Sequence, residues 1–505
     1  MDRLSNELLR DILDHIEADP EKSVNIDRRA YLSVESFRAP SPPVPSQAQD
    51  IAHFRLVCKR FAELGVPHQF TRVTTRFSRK GFQRLERIAE RVEVAKHVKK
   101  FSYMIPCFYV EGRDRIEELF GGSDGELQSS DPAHFVRKAA EQKEVVQSGQ
   151  DRRALGRAFS SFTALQHVQI LRLQDEPDRH LLDYIRENWD EASQLVELSW
   201  TPACIQGSRT VGEALLAARS PYSRFSGPMM SPQSAMVLQG KIPHVMASLA
   251  GQLSCLELHF DEGFDLDNRM RSLSGLFKAL FQAATGMLAV HIGFPSRVPL
   301  GLPLEALFHD VRWDRLRAFG IQSWRLDASE IIAIARRHSK TLRGLRLRDV
   351  QLKDGSLWKD VLGMLRCEME QLDWVSLRRI GYASTFDAIF GGTMEVPPDF
   401  GPPGGSDSDD DDSFPTHISG PSNSDDEDSM ASADDEDEDD DHGPSANELY
   451  MDPDTPSSVP WCNCGRNAYP ENVDDLGDNG RQVDYSQRKL WERWVVGRCP
   501  EHSTA

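Results

Sequence analysis

Apolar residues in the first 65 positions fall into two runs with helical spacing. Leu4, Leu8, Leu9, Ile12, Leu13 and Ile16 make one stripe and predict a helix over 4–17. Ser5 suits its N-cap, and Glu7 lies in the first turn, where the helix dipole favours an acid. Ile51, Phe54, Val57, Cys58, Phe61 and Leu64 predict a second helix over 50–64, with Arg55, Lys59 and Arg60 off the stripe. Residues 18–49 interrupt the two. They contain APSPPVPSQAQ, whose prolines predict a non-helical insertion.

From about residue 66 the pattern changes to a loosely filled L-x-x-L-x-L, with apolar residues at steps of three and two. Nine triplets follow it. They are Phe70/Val73/Thr75, Val98/Phe101/Tyr103, Leu165/Val168/Ile170, Leu195/Leu198/Trp200, Leu253/Leu256/Leu258, Met287/Val290/Ile292, Leu316/Phe319/Ile321, Leu342/Leu345/Leu347 and Leu372/Val375/Leu377. Most start about 30 residues apart, and two gaps are close to double, which places degenerate repeats near 130 and 224. Helical runs separate several triplets, at 79–95, 327–339 and 356–365. Short strand then helix at this period predicts a leucine-rich-repeat-like solenoid, because no single unit can bury its own apolar face. The expected fold class is therefore α/β: an N-terminal helical domain, an irregular solenoid, then a disordered acidic tail.

The tail is the part composition decides. The chain of 505 residues carries a net charge of -20, and residues 406–441 hold 17 Asp or Glu with no Lys or Arg, leaving about -3 elsewhere. That run predicts disorder over 392–458, and its Ser406, Ser408, Ser424 and Ser429 suit acidophilic kinases. The segment 459–505 regains Trp461, Trp491 and Trp494 and a helical run, YSQRKLWERWVV. Because 392–458 offers almost no apolar surface, removal of 392–505 is expected to leave the rest folded. An acidic total argues against nucleic acid as partner. No apolar stretch reaches membrane-span length, and the charged, amphipathic opening is unlike a secretory signal. Singly placed cysteines fit reduced thiols in cytoplasm or nucleus.

The two N-terminal helices resemble the F-box. Leu4-Ser5-Asn6-Glu7-Leu8 with Ile12-Leu13 is similar to the family's opening L-P-x-E-L and I-L, with Ser5 in place of proline. Arg55-Leu56-Val57-Cys58-Lys59-Arg60-Phe61 is similar to its later R-x-V-C-K-x-W/F segment. The long insertion between them resembles those of F-box proteins in filamentous fungi. The resemblance covers residues 1–65. It implies a non-catalytic, substrate-recruiting subunit of an SCF-type cullin–RING ubiquitin ligase. The cullin-linked adaptor would bind Leu4, Leu8, Ile12, Leu13, Ile16, Leu56, Val57, Cys58, Phe61 and Leu64. The region 66–391 would capture a protein target. The other reading is a leucine-rich-repeat interaction scaffold without ligase activity.

In a solenoid the residues between the apolar positions of each triplet point away from the core. His167, Gln169, Glu197, Ser199, Glu257, His291, Arg346 and Ser376 are thus the expected target-binding row. Cys462, Cys464, Cys499 and His502 form a weak zinc constellation, since C-x-C is tighter than the usual pair spacing. No nucleotide, hydrolase or metalloprotease motif is present, so neither a cofactor nor a catalytic residue is expected.

Overall fold

The computed structural model describes residues 4–16, 45–111, 118, 132–173, 176–188, 196–230, 232, 249–260, 265–295, 298–390 and 472–497. The described residues divide into two compact units, the first ending at Pro221. The region expected as one domain, 66–391, is therefore split.

Unit 1 opens with three helices, α1 (Asn6–Ile16), α2 (Pro45–Leu56) and α3 (Lys59–Gln69). The expected single helix over 50–64 is broken at Cys58, whose extended backbone (φ -163°, ψ 169°) starts α3. Part of the proline-rich stretch is helical after all. Pro45 occupies the first turn of α2, where its missing N–H has no intrahelical partner to lose. Residues 18–44 lie outside the described residues. There follow β1 (Arg72–Arg76), α4 (Arg79–Glu90), α5 (Val92–Ala95), β2 (Lys100–Pro106), β3 (Phe108–Glu111), α6 (Pro132–Ser148), α7 (Gln150–Ser161), β4 (His167–Leu173), α8 (Glu176–Glu187), β5 (Glu197–Ser199) and α9 (Trp200–Ala218). Strands β1, β2 and β4 pair in parallel, while β3 and β5 form a separate antiparallel pair. Ser78 caps α4 by accepting from Gly81 N, and Phe82, Leu85, Ile88 and Ala89 bury its apolar face.

Unit 2 contains β6 (Arg224–Met230), β7 (Cys255–Phe260), α10 (Leu266–Ala283), β8 (Ala289–Gly293), α11 (Leu304–Phe308), β9 (Ala318–Leu326), α12 (Ala328–Arg337), β10 (Gly344–Leu352), α13 (Trp358–Glu368), β11 (Trp374–Arg378), β12 (Gly381–Tyr382), α14 (Ala383–Phe390) and α15 (Tyr485–Val496). Its strands are parallel, in the order β6-β7-β8-β9-β10-β11, with β12 also on β10. The register stacks Leu256, Val290, Phe319, Leu345 and Val375 across five strands, and Leu258, Ile292, Ile321, Leu347 and Leu377 two residues on. These rows build the core. Three tryptophans fill it, each with its indole N–H satisfied: Trp313 on Phe281 O (3.2 Å), Trp324 on Leu302 O (2.9 Å) and Trp358 on Gly381 O (3.0 Å).

The class is α/β, but a helical F-box domain followed by a solenoid is not what the chain builds. Among the described residues it forms parallel sheet, with three strands in unit 1 and seven in unit 2. The helices α1–α3 belong to unit 1 rather than to a domain of their own. The triplet at Leu195/Leu198/Trp200 adds no rung to a stack, since Leu198 pairs with Tyr109 in the antiparallel ladder and Trp200 opens α9. Parallel strands also vary from two to nine residues, so the units between them are not equivalent. The triplet pattern marks a strand with one apolar face, and it carries no information about what that strand pairs with. The acidic run 406–441 lies outside the described residues.

The last described segment packs on unit 2. Leu476, Trp491, Trp494 and Val495 are buried, and α15 lies against β11 and α13. Glu492 accepts from Leu377 N on β11 (2.5 Å), Asp478 accepts from Lys359 N (2.8 Å), and Arg366 reaches Trp494 O. Removal of 392–505 would therefore take buried apolar contacts from unit 2, against the expectation of an unperturbed core. The apolar residues of 472–497 complete the core beside the last long strand.

Candidate functional site

The RLVCKRF string has a division of labour that helical spacing does not reveal. Arg55 turns inward: its guanidinium lies 5.0 Å over the Phe70 ring, donates to Ala62 O (3.3 Å) and reaches Gln69 Oε1. Arg60 ties α3 to the start of α1, donating to Asn6 Oδ1 (2.7 Å) and Leu4 O (2.6 Å). Phe61 is buried and stacks on Phe54, with ring centroids 4.5 Å apart. At the head of α1, Ser5 Oγ accepts from Leu8 N (3.3 Å), the expected cap.

The ten expected adaptor-binding residues therefore separate by depth. Leu13 and Phe61 are buried within the helical cluster, beside Leu9 and Ile51, while Leu4 and Leu64 are half-buried. Leu8 is 51% exposed, Ile12 42%, Leu56 82% and Val57 61%, and Cys58 is exposed with them. The side chain of Ile16 lies outside the described residues. Eight large apolar side chains are exposed among the described residues, and these four are half of them. Single exposed leucines are ordinary, but here four large apolar side chains are exposed within one short segment, α1–α3.

The second site is the opposite face of the unit 2 sheet. Glu257, His291, Gly320, Arg346 and Ser376 are in register across β7–β11, and two residues on come His259, Gly293, Gln322, Arg348 and Arg378. Glu257, His291, Arg346 and Ser376 were expected on an open face, yet all four are buried, as are His167 and Gln169 on β4. Alternation identified their common face correctly and their exposure wrongly. Parallel strands are commonly buried on both faces, so a polar period-two position need not meet water. Of the remaining two, Glu197 is exposed, and Ser199 is half-buried and caps α9 by accepting from Thr201 N (3.3 Å).

Burial requires partners, and several are visible. Glu257 accepts from Arg224 Nη2 (2.8 Å) and Ser226 Oγ (2.6 Å), and Gln169 Oε1 accepts from Ser102 Oγ (3.0 Å). Glycines make room for the imidazoles. A Cβ on Gly320 would sit 2.4 Å from His291 Nδ1, and one on Gly293 2.5 Å from the His259 ring. Burial holds His291 well below the ordinary imidazole range, and Arg346, His259 and Arg348 push the same way. Arg224, Ser226, His259, Gln322 and Arg348 are members of this row that reading nine triplets did not single out. Arg224 and Ser226 lie on β6, near the expected degenerate repeat, and the rest continue the alternation one step further along each strand.

The four zinc candidates Cys462, Cys464, Cys499 and His502 lie outside the described residues. Among the described residues no group of three or more His, Cys, Asp or Glu could hold a metal ion, and no helix is long and apolar enough to cross a membrane. No family model and no curated protein matches the chain.

Proposed function

We propose that the protein is a substrate-recruiting F-box subunit of an SCF-type ubiquitin ligase, docking the cullin-linked adaptor on α1–α3. The observation that supports this reading is the exposure of Leu8, Ile12, Leu56 and Val57 in the α1–α3 segment that carries the F-box-like sequence. An apolar helix surface of this kind is completed by a partner's helices. The chain itself would be non-catalytic, with ubiquitin transfer residing in the partner enzymes. Target capture would fall to exposed parts of the two α/β units rather than to the buried row.

The depth of each residue selects the test. Phe61→Ala removes a buried ring and so perturbs folding as well as docking. Replacing Leu8, Ile12, Leu56 and Val57 together by alanine leaves the buried residues alone. Truncated anchors at an interface centre typically cost ~2 kcal/mol or more each. The quadruple variant should keep its melting temperature and lose adaptor and cullin in affinity purification. Undiminished capture by the folded variant would refute the proposal.

A further inference from the structure

Basic side chains of α4 and the turns after it gather on one ridge of unit 1. Residues 79–100 hold eight Lys or Arg and three Glu, in a chain whose net charge is -20. Phe82, Leu85, Ile88 and Ala89 bury one side of α4, which puts Lys80 and Arg87 on its outer side. Arg91 follows at the C-cap, Lys96 ends α5 and Lys99 precedes β2. Lys80, Arg87, Arg91 and Lys96 are exposed, and Lys99 is half-buried. The other three cations are engaged: Arg79 pairs with Glu144, and Arg84 and Lys100 have partners. The five of the ridge make no ion pair or side-chain hydrogen bond among the described residues. Glu86 is taken by Arg157 (3.0 Å), which leaves only Glu90 and Glu93 against five cations. Neighbouring groups register this excess. Burial holds His97 below the ordinary imidazole range, and Lys96 and Lys99 push the same way. Burial likewise lowers Arg55, and Arg91 adds to it.

Charge and tethering select the occupant. At ~1.5 Å per helical residue, Lys80 to Arg91 spans ~16 Å. An extended acidic segment offers a carboxylate every ~3.3 Å, so about five acids in succession match that length. Within 406–441, residues 434–441 are eight acids in succession, and the whole run holds 17 acids without a Lys or Arg. The run is also part of the same chain. Residues 391–405 join it to α14 and, at ~3.3 Å each, reach up to ~50 Å. A tethered segment meets its site at an effective concentration on the order of millimolar. Nucleic acid or an anionic membrane would have to outcompete carboxylates that the chain itself supplies.

We propose that Lys80, Arg87, Arg91, Lys96 and Lys99 form a docking surface for the chain's own acidic run, residues 406–441. The pairing does not rest on adaptor docking. Zero-length carbodiimide cross-linking of the full chain, read by mass spectrometry, tests it. Amides from Nζ of Lys80, Lys96 or Lys99 to carboxylates of 406–441 are expected at low salt. They should fall about ten-fold at about 1 M salt, where the screening length shrinks to ~3 Å. The Lys359–Asp474 pair (2.8 Å) is the internal standard for the reaction. Mixing light and ¹⁵N-labelled chains separates the sources, since cross-links joining light to heavy would assign a second copy and overturn the pairing within one chain. A labelled peptide of residues 406–441 gives a second reading. It should bind a full chain whose own 17 acids are changed to Asn and Gln about ten-fold tighter than the unaltered chain. That gain should vanish when Lys80→Gln, Arg87→Gln, Arg91→Gln and Lys96→Gln are added, all at exposed positions away from the core. Absent lysine-to-run cross-links with Lys359–Asp474 intact, cross-links indifferent to salt, or equal peptide binding by the three chains would each overturn the proposal.

Discussion

His338 is held with both ring nitrogens occupied. Nε2 accepts from Trp313 N (3.2 Å), and Nδ1 faces Ile334 O (3.1 Å) and so carries the proton. Burial pushes its pKa down to about 4. The unfolded chain, at about 6.5, binds the proton more readily. Stability is therefore fully present above about pH 6.5 and is lost as pH falls through 4. His291 is shifted in the same direction. Thermal melts between pH 4 and 7 should show a falling transition, flatter over this window in His338→Gln. Arg60 offers a residue-scale test of the N-terminal surface. Hydrogen bonds to charged groups contribute ~1.5–3 kcal/mol each, and Arg60→Ala removes two to α1. Limited proteolysis should then cut α1 first, with adaptor capture lost in parallel.

Elements depend on one another at the end of unit 2. A strand at a sheet margin leaves backbone groups open to pairing with other chains, and proteins commonly cover such edges. Here α15 does so, with Glu492 on Leu377 N and Trp491 and Trp494 fully buried against the sheet. Trp491→Ala is expected to cost ~3–5 kcal/mol, as buried aromatic truncations do. Glu492→Ala should leave the fold intact and speed hydrogen exchange at the Leu377 amide, read by NMR. Unchanged exchange there would show that the carboxylate does not protect the strand.

For the molecule as a whole, the charged interior of unit 2 changes what a charge substitution reports. Arg224 and Glu257 are a buried pair, and removing one partner leaves the other's charge uncompensated at ~3–5 kcal/mol. Reversing Glu257 and Arg346 together, a natural test of an exposed recognition row, should instead unfold unit 2. Circular dichroism and denaturant midpoints of Glu257→Gln check this, and a midpoint equal to the parent's would contradict it. Substitutions that probe target capture belong at exposed positions such as Glu197.

Much was decided locally by the chain. Apolar spacing places α4, α12 and α13 and parallel strands at eight of the nine triplets, because a strand or helix needs only its own period to define an apolar face. The RLVCKRF string was legible as a motif, though its internal roles were not. Whether Arg55 faces Phe70 or water, and whether Leu13 or Leu8 lies inward, depends on which helix packs where. Pairing was likewise beyond a local pattern. Period-two alternation could not say that β5 would leave the parallel ladder for β3, or that α1–α3 would join unit 1. Above all, alternation assigned Glu257, His291, Arg346 and Ser376 to one face, and only the tertiary structure decided that this face is buried. Burial is a property of what surrounds a strand, and that converts a row of ordinary polar residues into a buried ion pair beside an imidazole held neutral by its surroundings.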